Sequence, residues 1–118
     1  MPNETGDLVR HELKCWPRYF ERLLDGTKTF EVRKDDRGFK TGDVLWLREW
    51  EPGGRGFTGR SLSKRVVFIY DDSDDLGMFH LREHAVVMGL GPMLSHVGHA
   101  HPAFVEAALS GSFPEGSE

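Results

Sequence analysis

The chain holds a single cysteine, Cys15, in 118 residues. An intramolecular disulfide is therefore excluded, and lone-cysteine usage fits the reducing cytoplasm. No apolar run approaches the roughly 20 residues needed to cross a bilayer, so no membrane role is expected. The opening MPNETGDLVR lacks the basic start and apolar stretch of a secretory signal. Cytoplasmic localisation is the resulting expectation. An excess of positive charge is also missing. The 15 Lys/Arg stand against 19 Asp/Glu, for a net charge of −4. That argues against a generally basic nucleic-acid binder. There is no internal repeat, and the length suits one domain.

The charge that is present is unevenly spread. Residues 10–68 carry 14 Lys/Arg and 9 Asp/Glu, while the rest of the chain sets Arg82 against 10 acids. A basic body with acidic ends can offer a local positive patch to a phosphate backbone, and it can equally be a solvated surface with acidic tails.

Periodicity divides the chain into elements. LVRHELKC alternates as a first strand. In CWPRYFERLLDG, Trp16, Tyr19, Phe20, Leu23 and Leu24 recur at helical spacing, with Arg18, Glu21, Arg22 and Asp25 on the opposite face. Pro17 suits the first helical position and Gly26 the residue past the end. KTFEVRK alternates with period two, placing Phe30 and Val32 on one face and Thr29, Glu31 and Arg33 on the other. DVLWLREW reads as a strong strand, EPGGRGFTGR as a glycine-rich hairpin loop, SLSKRVVFIY as the returning strand and HAVVMGL as a closing strand. The acidic DDSDDLG between the last two is a solvated loop. After Gly91 the pattern weakens. HPAFVEAAL suggests a short helix over 101–109, followed by a frayed tail. The division is one domain over 8–91 and a C-terminal extension over 92–118. Strands separated by loops, with one early helix, predict a small α+β fold with a mixed barrel.

Three groups carry candidate chemistry. His96, His99 and His101 are close enough in sequence to hold a transition metal, but no acid or thiol follows at a zinc-motif spacing, and glycine and alanine between them suggest a linker. No metal or cofactor is expected. Cys15 shares a strand face with His11, yet a lone cysteine beside Trp16 reads more simply as a small packed hydrophobe. The third group is GTKTFEVRKDDRGFKTGD, which gathers Lys28, Arg33, Lys34, Arg37 and Lys40 around Phe30 and Phe39. Lys28 falls at a helix-to-strand corner. Glu31 shares a strand face with Arg33 and can hold a cation in place. An arginine there offers a planar fork to phosphate or a base edge. A solvent-facing strand with an ordinary ion pair remains the competing reading.

The stretch HELKCWPRYFERLLDGTKTFEVRKDDRGFKTGDVLWLREW carries a G-x-K-x-x-E-x-R signature at Gly26, Lys28, Glu31 and Arg33. With a helix before it, a strand after it, and GDVL and AVVMGL following, the chain resembles ASCH-type, PUA-like domains from about Arg10 to Leu90. It is most similar to their small bacterial and phage branch, catalogued as a domain of unknown function. The resemblance implies a PUA-like mixed β pseudo-barrel of about five to six strands, with a helix after the first strand packed over a cleft. In related domains that cleft faces RNA or a nucleobase. The implied function is an RNA- or nucleotide-binding module. Lys14, Lys28, Arg33, Lys34, Arg37 and Lys40 would supply the basic cleft, with Trp16 or Trp50 available to stack on a base, although Trp16 sits on the apolar helix face. Some relatives are amidohydrolases acting on an acylated cytidine, and some are associated with RNA cleavage. The implied catalytic residues would then be Lys28, as base, and Glu31. The relatives' partner acid lies in a longer, partly helical segment, where this chain has only DDSDDLGMFHLREH with Glu83. A third reading is a phage- or mobile-element-encoded interaction protein with no nucleic-acid role.

Overall fold

One helix and five strands account for the regular structure of the described residues, 9–98, in the computed structural model; Asp74 is described by its backbone alone. The expected helix over 101–109, His99 and His101 lie outside those residues. The elements run β1 (Arg10–Cys15), α1 (Pro17–Asp25), β2 (Phe30–Lys34), β3 (Val44–Glu51), β4 (Gly56–Tyr70) and β5 (Ala85–Val97), with a 3-10 turn at Ser73–Asp75.

The helix begins and ends where its punctuation predicts. Pro17 lacks the N–H that a first-turn residue leaves unbonded anyway. Gly26 adopts φ 86°, a left-handed conformation that glycine reaches without steric cost. The Lys28 amide then donates to the Arg22 carbonyl at 3.0 Å. This closes the last turn and swings the chain directly into β2, so the helix end fixes where Lys28 stands.

The sheet order is β1-β3-β4-β5-β2. β1 runs parallel to β3, and the other pairs are antiparallel. The sheet is curled into a half-barrel. Its bend lies in the long strands β4 and β5, 15 and 13 residues, whose register shifts between Ser63 and Phe68. Bulges increase local twist, and they accommodate Pro92, which has no N–H for the ladder. The edge strands β1 and β2 are thereby brought face to face. No backbone ladder joins them. Instead Arg33 Nη2 donates to the Lys14 carbonyl at 2.7 Å, and Arg37 Nη1 to the Glu12 carbonyl at 2.5 Å. Two guanidinium groups close the seam and cover what would be an open strand edge.

Phe20 and Leu23 of α1 are wholly buried against Leu45, Leu47, Leu62, Val66 and Met88 on the concave side of the sheet. Glu21 was expected on the solvated helix face, and the structure corrects this: it is 6% exposed. Its carboxylate accepts from Arg60 Nη2, which also donates to Glu49 Oε2 at 2.8 Å, and Arg60 Nε donates to Glu49 Oε1 at 2.8 Å. Two further expectations are corrected. β4 begins at Gly56, so only residues 52–55 of the expected hairpin loop are turn, because Arg60 is drawn into the core by Glu49. β5 continues past Gly91 to Val97, paired with β4 through Ser63–Ser95, Leu62–His96 and Ser61–Val97. His96 is therefore a strand residue rather than part of a linker.

Candidate functional site

The β1–β2 seam opens beside α1 into a cleft of about 610 Å³, lined among others by Lys14, Tyr19, Lys28, Phe30, Glu31 and Arg33. At its centre is Glu31, only 3% exposed. The alternation of β2 has two faces, and it is the charged one that turns inward. Phe30 and Val32 remain 43% and 53% exposed and form a wall of the cleft. Burying a lone carboxylate is costly, and both oxygens of Glu31 are engaged. Lys28 Nζ donates to Oε1 at 2.6 Å and Arg33 Nε to Oε2 at 2.8 Å. Each cation is additionally fixed. The Lys28 ammonium lies 5.0 Å from the Tyr19 ring centroid and 5.3 Å from that of Phe30. Arg33 reaches the Lys14 carbonyl across the seam.

Lys28 and Arg33 keep 17% and 27% of their side-chain surface open, against 4% for Glu31. The carboxylate thus serves as a buried anchor, and the cations present their remaining donors outward. Lys14 adds a third positive charge at the cleft, with its Nζ 4.5 Å from the Trp50 ring centroid. Three cations against one acid leave the site positive, between aromatic walls.

The structure brings Lys14, Lys28, Glu31 and Arg33 together. It places Lys34, Arg37 and Lys40 outside the cleft lining, all three exposed. Arg37 is occupied at the seam and with Asp36, 3.7 Å away. Trp16 lines the cleft half-buried rather than sitting in the core. Glu83, the candidate second acid, is 87% exposed, lies 3.2 Å from His84 and does not line the cleft. Tyr19 and Phe30 are the cleft walls that sequence reasoning did not assign. Their signal was modest: Tyr19 precedes the buried Phe20, and Phe30 sits between Lys28 and Glu31.

Cys15 lines the same cleft but is 2% exposed. Burial, reinforced by the negative charge of Glu31, pushes its thiol up to about 12. A thiol held protonated is a poor nucleophile. His11, its suggested partner, is engaged elsewhere: Nε2 lies 2.8 Å from Asp43 Oδ2 and the ring packs edgewise on Phe39 at 4.7 Å. Among the described residues no group of three or more His, Cys, Asp or Glu is placed to hold a metal ion. No helix among them is long and apolar enough to cross a membrane.

The chain is 38% identical over 103 residues to an uncharacterized 12.9 kDa protein in the GpA 3' region of Escherichia phage P2, covering 87% of this chain and 83% of that protein. A family model described as "Domain of unknown function (DUF3850)" matches residues 10–90, from the first residue of β1 into β5 and including every residue lining the cleft, and the chain belongs to that family.

Proposed function

We propose that the cleft binds a nucleotide, either free or as part of RNA, in a protein of PUA-like, ASCH-type architecture. The observation that carries the reading is the buried Glu31 carboxylate holding Lys28 and Arg33 at the mouth of an aromatic-walled cleft. Arginine and lysine donors suit a phosphate, and aromatic faces suit a base. Lys28 and Arg33 bind the anion, Glu31 positions both, Lys14 adds charge from β1, and Tyr19, Phe30 or Trp16 receives the base. Lys34, Arg37 and Lys40 supply general attraction from outside the cleft.

Titration with ribonucleoside monophosphates and with a short single-stranded RNA tests this. Binding should weaken as salt rises from about 50 to 200 mM, through counterion release, and should be lost in Glu31→Gln. A wild-type protein that binds no nucleotide, RNA or DNA at low salt overturns the reading.

The phage P2 relative favours a second reading: an accessory protein of a phage or mobile element that acts through a protein partner. It predicts capture of a defined protein that survives Glu31→Gln. A hydrolase of acylated pyrimidine nucleosides, or a ribonuclease, has less support, because Glu31 is the one carboxylate lining the cleft among the described residues and it is already engaged by two cations.

A further inference from the structure

On the convex side of the sheet, the alternation of β1 and β3 sends Arg10, Glu12 and Lys14 outward beside Trp46, Arg48 and Trp50. These side chains interleave. The Arg10 guanidinium lies 4.4 Å from the Trp46 ring centroid, Arg48 lies 4.9 Å from Trp46 and 3.9 Å from Phe57, and Lys14 lies over Trp50. Four cation–aromatic contacts, made by three cations and three rings, thus lie on an outer face of the sheet rather than in the core. The face also contains a hollow of about 310 Å³, floored by Ser61 and Ser63 and bordered by Trp46, Arg48, Phe57 and Ser95. Ser61 and Ser63 are each 7% exposed, and their hydroxyls hydrogen-bond to no other described residue. Hydroxyls that reach an open hollow without a protein partner are donors and acceptors available to a polar ligand.

The face is positively charged. Arg10, Lys14 and Arg48 oppose Glu12, whose ion pair with Arg48 at 2.6 Å is half-exposed and readily exchanged for a phosphate. It is also continuous with the cleft, because Lys14 borders both. From Lys14 to Arg10 the strand advances about 13 Å, room for about four stacked nucleotides at 3.4 Å each.

We propose that this convex face of β1, β3 and β4 is a platform for single-stranded nucleic acid, carrying the strand onward from the nucleotide held in the cleft. Bases stack on the half-buried rings of Trp46 and Trp50 and on the exposed Phe57 ring, one base edge meets Ser61 and Ser63 in the hollow, and Arg10 and Arg48 take phosphates. The proposal rests on the nucleotide reading of the cleft but is tested separately from it.

The test compares a ribonucleoside monophosphate with a single-stranded RNA of about eight nucleotides, a length within the range of stacking platforms. The wild type should bind the octamer at least tenfold more tightly than the monophosphate. Trp46→Leu should weaken octamer binding about tenfold or more and leave monophosphate binding unchanged, and Trp46→Phe should restore most of the loss. Arg10→Ser, at an exposed position, should make octamer binding less salt-dependent. If the octamer binds no better than the monophosphate, or if Trp46→Leu and Arg10→Ser leave octamer binding unchanged, the platform is overturned and the cleft stands. If the octamer binds and responds to Trp46→Leu while no monophosphate binds and Glu31→Gln leaves octamer binding unchanged, the platform stands and the cleft reading falls. If neither probe binds, both are overturned.

Discussion

The molecule contains two charge clusters that are near inversions of each other. In one, a single carboxylate, Glu31, is held by two cations, Lys28 and Arg33. In the other, a single cation, Arg60, is held by two carboxylates, Glu21 and Glu49. Their surroundings differ more than their chemistry. Arg60, Glu21 and Glu49 are 4%, 7% and 0% exposed in their side chains, and Thr58 donates a further hydrogen bond to Glu49 at 2.6 Å. Burial alone would lower the Arg60 pKa, but its bonds to Glu49 and Glu21 raise it, so the guanidinium stays charged. That cluster ties α1 to β3 and β4 and is closed to solvent. The Glu31 cluster is buried on the acid side only. A closed cluster spends its charge on the fold, whereas a half-open one leaves oriented charge for something else to meet.

The largest effect should come from breaking the closed cluster. Arg60→Met leaves Glu21 and Glu49 buried without their cation and should cost about 3–5 kcal/mol of stability, read as a fall in the urea midpoint. Replacing Glu21 and Glu49 by leucine in the same protein should recover most of that loss, because the uncompensated charge is gone. An Arg60→Met protein within about 1 kcal/mol of wild type would show that the cluster behaves as an exposed pair, and the contrast would collapse.

Glu31→Gln probes the half-open cluster. Lys28 and Arg33 are near enough to solvent to regain water, so the stability loss should be only about 1–2 kcal/mol. Nucleotide affinity should fall at least tenfold, since the two cations lose their common anchor. A large stability loss with unchanged binding would make this cluster a second version of the first.

The sequence made the half-open cluster visible and hid the closed one. The spacing of Gly26, Lys28, Glu31 and Arg33 is local, set by a helix cap and one strand, so it can be read as a motif. Period-two alternation does not say which face turns inward, and the usual preference would bury Phe30 and Val32. Only the curl of the sheet, which brings β2 against β1, determines that Glu31 goes in. Arg60 lies in GRGFTGR, which reads as loop, and its partners are 39 and 11 residues away. No local pattern encodes such pairs. The same holds for the far half of β5, where Gly91 and Pro92 interrupt the alternation that the bulge later absorbs. Helix α1, by contrast, was legible almost to the residue, because its period and both of its ends are written locally.

A smaller effect separates charge from reactivity within the cleft. Cys15 has its pKa pushed up to about 12 by burial and by Glu31, against about 8.5 in an unfolded chain. The folded state holds the proton more tightly. Stability from this group is therefore fully present below about pH 8.5 and is lost as pH rises toward 12, by at most about 1.4 kcal/mol per pH unit. Cys15→Ala should flatten that alkaline decline, measured as the pH dependence of the urea midpoint relative to wild type. At pH 8 the native thiol should resist alkylation. Rapid alkylation of the folded protein would mean that the cleft opens to the thiol.

The smallest expected change is the most discriminating for the open cluster. Lys28→Arg keeps the positive charge 2.6 Å from Glu31 or near it, and keeps donors for a phosphate. If Lys28 only grips an anion, affinity should change by less than about tenfold, or 1.4 kcal/mol. A lysine acting as general base must release its proton, which arginine does not do in proteins. Under the hydrolase reading Lys28→Arg would therefore abolish turnover of acylated cytidines while leaving binding and fold intact. Wild type and Lys28→Arg are to be assayed side by side for nucleotide binding and for acid release from an acylcytidine panel across pH. The binding account expects near-equal affinities and no acid release from either. Acid release by the wild type alone, rising with pH, would convert the cleft from a binding site into an active site and assign Lys28 its base. Equal turnover by both would leave the cleft catalytic but clear Lys28 of that role.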